Sequence, residues 1–387
     1  MNYGYSRIQP MNTKSSYEEF DVVDFSIQVP EGRSLLLGSV RLEGEVEVSA
    51  TGGITLNQTT DVGGIAANTL DIKIDSDAGA HGFIEQVSTS FSGPSFSGLA
   101  ESLGDYGRYV KMSAVAMTRS NGDNNNSSNV CELKAVNDEA TNNILKGELV
   151  AADPALSSGV ALRNNPDFSI KLRNCLNGGR GELPARKSGE IMVSISLARN
   201  FAALYGINNG AAISYSLKDL RLTYNHVPDS GSNEPVVMRR KLNVKQSLTS
   251  ANSSINVNVP AVCDSFSASF QVQSQENTPK NNNYTLHTPP NLTQVQYLYN
   301  NSNSSLISYV IRSIPELIDN AIDSFVDADK NSLSTARLAN LNGFMLGQNL
   351  DDEVNFMKNK LTIEIDSAIS NLTPLIMYMY FHSTISL

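Results

Sequence analysis

The stretch "LLLGSVRLEGEVEV", Leu35 to Val48, decides the reading of the fold. Val40, Leu42, Val46 and Val48 recur on a period of two. Successive side chains of a strand point to opposite faces, so this spacing builds a strand with one apolar face and one wet one. Upstream, Phe25, Ile27 and Val29 alternate in the same way until Pro30-Glu31-Gly32 breaks the run. Before them, Met1 to Tyr17 is polar and aromatic without periodicity and reads as an extended arm. Downstream, the alternation returns in "LDIKID" (Leu70, Ile72, Ile74), "FSIKL" (Phe168 to Leu172), "GEIMVSISLA" (Gly189 to Ala198) and "YSLKDLRLTYNHV" (Tyr215 to Val227). It returns again at Ile255, Val257 and Val259, over Phe266 to Val272, and in "KLTIEID" (Lys360 to Asp366). The closing run "PLIMYMYFHSTISL", Pro374 to Leu387, is apolar enough for a strand buried on both faces.

Two segments change period. Leu99, Leu103, Tyr106, Val110 and Met117 recur at three- and four-residue steps, which predicts an amphipathic helix over Ser97 to Met117. Gly104 and Gly107 weaken it, at about 1 kcal/mol each relative to Ala. In the second helix Ser313 and Glu316 form a capping-box pair and Pro315 sits in the first turn. Ile314, Leu317, Ile318, Ala321, Ile322 and Phe325 make its apolar stripe. "PDSGSNEP", Pro228 to Pro235, is rich in turn formers and marks a domain boundary. The expected organisation is an arm over 1–19, a first sandwich over 20–228, a linker over 229–235 and a second sandwich over 236–387. The class is all-β: two tandem jelly-roll β-sandwiches with a few short inserted helices.

Composition agrees. Charged residues are 18% of the chain, against roughly 25% in ordinary soluble proteins. Asn, Ser, Thr and Gly supply the remaining polarity and favour turns over helix interiors. The net charge of −10 argues against a protein that binds nucleic acid through its phosphates. Arg239, Arg240, Lys241 and Lys245 read as the solvated start of a strand. Cys131, Cys175 and Cys263 are widely spaced and odd in number, so they read as small buried hydrophobes in a reducing compartment. Met1 to Phe25 lacks the apolar core of a signal peptide, and no run approaches the ~18 apolar residues of a membrane-spanning helix.

Motifs for chemistry are absent. His81, His226, His287 and His382 fall in four separate segments without HxxxH or HExxH spacing. No GxSxG elbow, phosphate-cradling loop or dinucleotide fingerprint occurs. The Asp351–Asp352 pair is weak support for acid–base work in a chain with 39 acidic residues. "DADKNS" places Asp327, Asp329 and Asn331 at alternate positions, like the opening of a calcium loop. Ser332 stands where that loop has Gly and Leu338 where it has a bidentate Glu, so a plain helix exit competes with a cation site. The expectation is a chain with no catalytic residues, no cofactor and at most a weak metal site.

Taken in order, several segments resemble the double jelly-roll major capsid proteins of the phage–adenovirus lineage of tailless icosahedral viruses. They are "RSLLLGSVRLEGEVEV" (Arg33 to Val48), "AHGFIEQVSTSFSG…LAESLGDYGRYVKM" (Ala80 to Met112), "FSIKLRNCLN…ELPARKSGEIMVSISLARN" (Phe168 to Asn200) and "YSLKDLRLTYNHV". "GFMLGQNLD" (Gly343 to Asp351) and the terminal strand agree more loosely. The resemblance implies a structural protein of the virion, assembled in the host cell cytoplasm as homotrimers whose six jelly rolls form a pseudo-hexagonal capsomer. It implies loops at Asn121–Asn129 and Ser274–Asn283 facing outward. It also implies that the arm orders against a neighbouring subunit, a minor capsid or penton protein, or an internal lipid membrane; a frayed terminus is the competing reading of the same residues. The alternative is a spike or carbohydrate-binding β-sandwich, though the chain has no Trp for sugar stacking.

Overall fold

The computed structural model describes residues 3–50, 55–56, 69–70, 74–75, 77–117, 131–133, 167–205, 213–300, 306–325, 343–368 and 373–387. Before the polar turn lie β1 (Gly4–Ile8), β2 (Val22–Ile27), β3 (Arg33–Leu36), β4 (Arg41–Ala50), β5 (Thr55–Leu56) and β6 (Thr69–Leu70). They are followed by β7 (Ile84–Ser92), β8 (Ser97–Gly104), β9 (Asp167–Lys171), β10 (Glu182–Pro184), β11 (Ile191–Leu197) and β12 (Ile213–Pro228). After it come β13 (Val237–Leu248), β14 (Asn252–Val257), β15 (Val262–Val272), β16 (Leu292–Asn300), β17 (Leu306–Ile311), β18 (Leu346–Asn355), β19 (Leu361–Ser367) and β20 (Leu375–Ser386). The helices are α1 (Tyr106–Met117), α2 (Ala185–Ser188), α3 (Asn200–Ala203) and α4 (Ile314–Asp323).

Each half is a sandwich of two antiparallel sheets. In the first, β12 is flanked on one side by β3 and β4, which carry β10 and β9, and on the other by β1. The facing sheet runs β8-β7-β11-β2. In the second, β14-β19-β16-β17 faces β18-β15-β20-β13. The two facing sheets are continuous: β13 lies parallel to β8, at Leu242 and Ser102, making one sheet of eight strands through both halves. The alternating residues Val40, Leu42, Val46 and Val48 are all buried on one face of the decisive stretch.

β20 is the strand buried on both faces, and its two faces serve different cores. Leu375, Met377, Met379 and Phe381 join the second sandwich, while Ile376, Tyr378 and Tyr380 pack with residues of the first. Burying such side chains contributes about 1.5–3 kcal/mol each, so β20 ties the halves together.

Several local expectations are corrected. Ser97 to Gly104 is strand β8 paired with β7, and the helix starts only at Tyr106. Leu99, one member of the inferred helical stripe, is 60% exposed, and Gly98 has φ +126, a backbone angle foreign to a helix. Ser313 does sit at the N-cap of α4, but its side chain makes no capping bond; Ile314 is 47% exposed and falls outside the stripe. The arm is not free: β1 pairs with β12, and Tyr17 exchanges backbone hydrogen bonds with Leu217 at 2.9 and 2.8 Å. A Cβ at Gly4 would collide with the His226 ring, so glycine lets the arm lie flat there. The basic cluster is solvated only at Lys245. Lys241 is 6% exposed, Arg239 pairs with Asp264 at 2.6 Å, and Lys245 pairs with Glu276 at 2.6 Å. Cys175 and Cys263 are buried as expected, whereas Cys131 is exposed. Ile72, the loop Asn121–Asn129 and the candidate ligands Asp327, Asp329 and Asn331 lie outside the described residues.

Candidate functional site

Two features could carry function: the joint that fixes one sandwich against the other, and the surface left by the N-terminal arm. The joint is built from α1 and β8 of the first sandwich against β13, β20 and the segment between β15 and β16. Arg108 of α1 is 1% exposed, donates to the carbonyls of Thr285 (3.1 Å) and Asn283, and lies 4.2 Å from the Tyr378 ring. Gly107, one turn position earlier, has no side chain where the Tyr284 ring sits, and Tyr284 donates its hydroxyl to Gly82 O at 2.7 Å. The loop inferred to face outward over Ser274–Asn283 therefore turns in at its end. Asn282 is buried and donates to Asp75 at 2.7 Å.

One set of charges beside the joint is paired. Lys111, nearly buried, bridges Asp75 at 2.8 Å and Asp77 at 3.0 Å. Burial alone would raise the Asp75 carboxyl, but Lys111, the Ala78 N–H and the Asn282 amide together hold it below its ordinary range. Glu101 accepts the backbone N–H groups of Lys241 (2.8 Å) and Cys175 (2.5 Å). Burial pushes its carboxyl above the usual range, with Lys241 and those hydrogen bonds opposing. Removing one member of the Lys111–Asp75 pair, inside the first sandwich, costs about 3–5 kcal/mol. The bonds of Asn282 to Asp75 and of Lys241 N–H to Glu101 cross between the halves and hold them at one angle. Sequence reasoning missed all of them, because each links residues far apart in the chain; Gly107 in a helical pattern was the one local signal.

The arm provides the surface. Tyr3, Tyr5, Met11, Phe20 and Val22 are among the exposed large apolar residues, at 62, 59, 62, 62 and 44%. β1 pairs on one side only, leaving its other edge open among the described residues. Tyr5 lies on β1 and Tyr3 beside it, Val22 on β2, and Met11 and Phe20 between the two strands; exposed large apolar groups are a feature of protein contact surfaces.

The four histidines do not converge on a site. His81 bonds Tyr106 within the first sandwich (3.1 Å), and His226 on β12 meets Arg33. His287 follows the joint loop and His382 is buried on β20. Among the described residues no group of three or more His, Cys, Asp or Glu is placed to hold a metal ion. Asp351 and Asp352 lie on β18.

No family model matches the chain, and no curated protein matches its sequence. Solved structures do match its fold from end to end. The Faustovirus major capsid protein aligns with a TM-score of 0.60 at 8% identity, over 100% of this chain and 90% of that one. A chain of the Sputnik virophage aligns at 0.57 and 9% identity, over 100% and 86%. The mavirus major capsid protein aligns at 0.52 and 8% identity, over 99% and 90%. Two sandwiches in one polypeptide, sharing a sheet and superposing along their whole length on these proteins, give the chain the double jelly-roll fold of viral major capsid proteins.

Proposed function

We propose that the chain is the major capsid protein of a tailless icosahedral virus and acts by self-assembly rather than by catalysis. The observation that carries this reading is the continuous eight-stranded sheet, which stands two jelly rolls side by side as a rigid pair. Three such pairs around one axis supply the six sandwiches of a pseudo-hexagonal capsomer, and closed rotational symmetry is the ordinary route for identical chains. The natural units of that assembly are the arm over 1–19, the jelly rolls over 20–228 and 236–387, and the linker over 229–235.

The arm's exposed Tyr3, Tyr5 and Met11 are the contact offered to a neighbouring copy, to a minor capsid or penton protein, or to an internal membrane. The protein would reside in the virion after assembly in the host cell cytoplasm. Its net charge of −10 fits a shell that does not read nucleic-acid sequence. Negative-stain images of the purified protein test the proposal: hollow pseudo-hexagonal particles support it. Single two-lobed particles that bind glycans would replace it with an attachment role.

A further inference from the structure

The segment after β9 faces β13 and β20 across a cavity of about 140 Å³. The cavity opens through Lys171, Asn177, Gly178 and Arg239 into a wider cleft between the sandwiches, where Arg180 adds a further cation. Four cations line the cavity itself: Lys171 and Arg173 from the first sandwich, Arg239 and Lys241 from the second. No carboxylate of the described residues lines it. Arg239 is answered from outside by Asp264. The side chains of Lys171, Arg173 and Lys241 make no hydrogen bond or ion pair among the described residues, and the buried Nε of Arg173 has no acceptor.

Lys241 makes this arrangement costly, because its ammonium is nearly withdrawn from water. Glu101 stands behind it, but both carboxylate oxygens are occupied by backbone N–H groups. The field in the cavity is felt by Lys171, whose ammonium is driven below its ordinary range by burial and by Arg173 and Arg41. Such a cavity lacks one component, an anion.

His382 narrows the choice. Its Nδ1 lies 3.0 Å from the carbonyl oxygen of Ser324, which can only accept, so Nδ1 carries the proton. Nε2 is then an acceptor; it is buried without a partner among the described residues, on a ring that lines the same cavity. An anion that brings its own hydrogen can satisfy it, as hydrogenphosphate does and sulfate at neutral pH does not.

We propose that this cavity binds a tetrahedral oxyanion of the phosphate class, held by Lys171, Arg173 and Lys241 and donating to His382, and that the bound anion clamps the two sandwiches together.

The test uses the full-length protein in a phosphate-free buffer, with inorganic phosphate, sulfate and adenosine monophosphate added at equal ionic strength. Melting midpoint and calorimetric binding are read. Phosphate should raise the midpoint saturably, and sulfate should be at least several-fold weaker. Lys171→Gln, at a partly exposed position, should weaken phosphate binding roughly tenfold. Lys241→Met should abolish the response while melting, without phosphate, at or above the parent. Adenosine monophosphate keeps a phosphate hydrogen only near or below its second pKa of about 6. If it acts like phosphate at that pH, the site takes the head of a phosphate monoester, with the remainder in the wider cleft. If only inorganic phosphate acts, the ligand is free orthophosphate. Equal responses to phosphate and sulfate, or undiminished binding in Lys171→Gln, would overturn the proposal. So would a Lys241→Met protein that melts lower without phosphate and still responds.

Discussion

Replacing Gly107 by alanine sets two physical effects against each other, and the structure decides the sign. Propensity alone predicts a gain, since glycine inside a helix costs about 1 kcal/mol relative to alanine. Here the new methyl would stand 2.7 Å from Cζ of Tyr284 and 2.8 Å from its Cε1 and Oη. Comfortable contact between carbons needs about 3.5–4.0 Å. The ring cannot swing clear, because Tyr284 is only 4% exposed and its hydroxyl is held by Gly82 O. Overpacking of this kind costs about 1–3 kcal/mol, and losing the hydroxyl bond adds about 1 kcal/mol. Subtracting the propensity gain leaves a net destabilisation of about 1–3 kcal/mol for Gly107→Ala. Urea unfolding of both proteins, followed by circular dichroism, reads this as a lower midpoint. The same substitution in a Tyr284→Ala background, where the obstacle is gone, should be neutral or stabilising by up to about 1 kcal/mol. A Gly107→Ala protein more stable than its parent would refute the docking of Tyr284 on α1.

Three further outcomes are expected. Burial, reinforced by Arg239 and Lys241, holds His382 well below its ordinary 6.5. Its contribution to stability is therefore complete above pH 6.5 and is lost as pH falls, by up to about 1.4 kcal/mol per unit. Glu101 and Asp105, both raised chiefly by burial, act in the opposite sense, so the measurement is the difference between parent and His382→Gln melting profiles from about pH 7.5 to 5.5. The variant should lose less stability on acidification; parallel profiles would contradict the buried neutral imidazole. Subtilisin, which needs no basic residue, should fail to cut the native chain between Pro228 and Val236. Arg186 binds Asp229 at 2.9 Å, Lys187 binds Glu234 O at 2.5 Å, and Val236 pairs with Leu387; cleavage should appear in Arg186→Ala/Lys187→Ala. A thiol reagent should label Cys131 at once. It should reach Cys175, raised well above its ordinary range, and Cys263, pushed up to about 12, only on unfolding.

The strands were legible wherever one face meets a core and the other meets water, because burial then imposes a period of two on the residues themselves. Ile191, Val193, Ile195 and Leu197 of β11 are the plainest case, with all four buried. Legibility failed at the joint. Ser265, Ser267, Ser269 and Gln271 of β15 alternate like a solvent face yet are fully buried, because that face is covered by other parts of the chain. Arg239 and Lys245 looked unpartnered because Asp264 and Glu276 come from elsewhere in the chain, and Lys241 looked solvated although the fold buries it. Leu99, Leu103 and Tyr106 mimicked a helical stripe because a strand and a helix meet at Asp105, whose φ of 47° breaks both. The candidate surface was legible only as an aperiodic, aromatic arm; its pairing with β12 depends on Gly4 fitting under His226, a contact no local pattern encodes.

The claim that the two jelly rolls exist to build a shell is tested most directly by the mass of the purified protein in solution, measured by light scattering after size exclusion. The account predicts the mass of three chains, persisting on dilution. A stable single chain under the same conditions would contradict it.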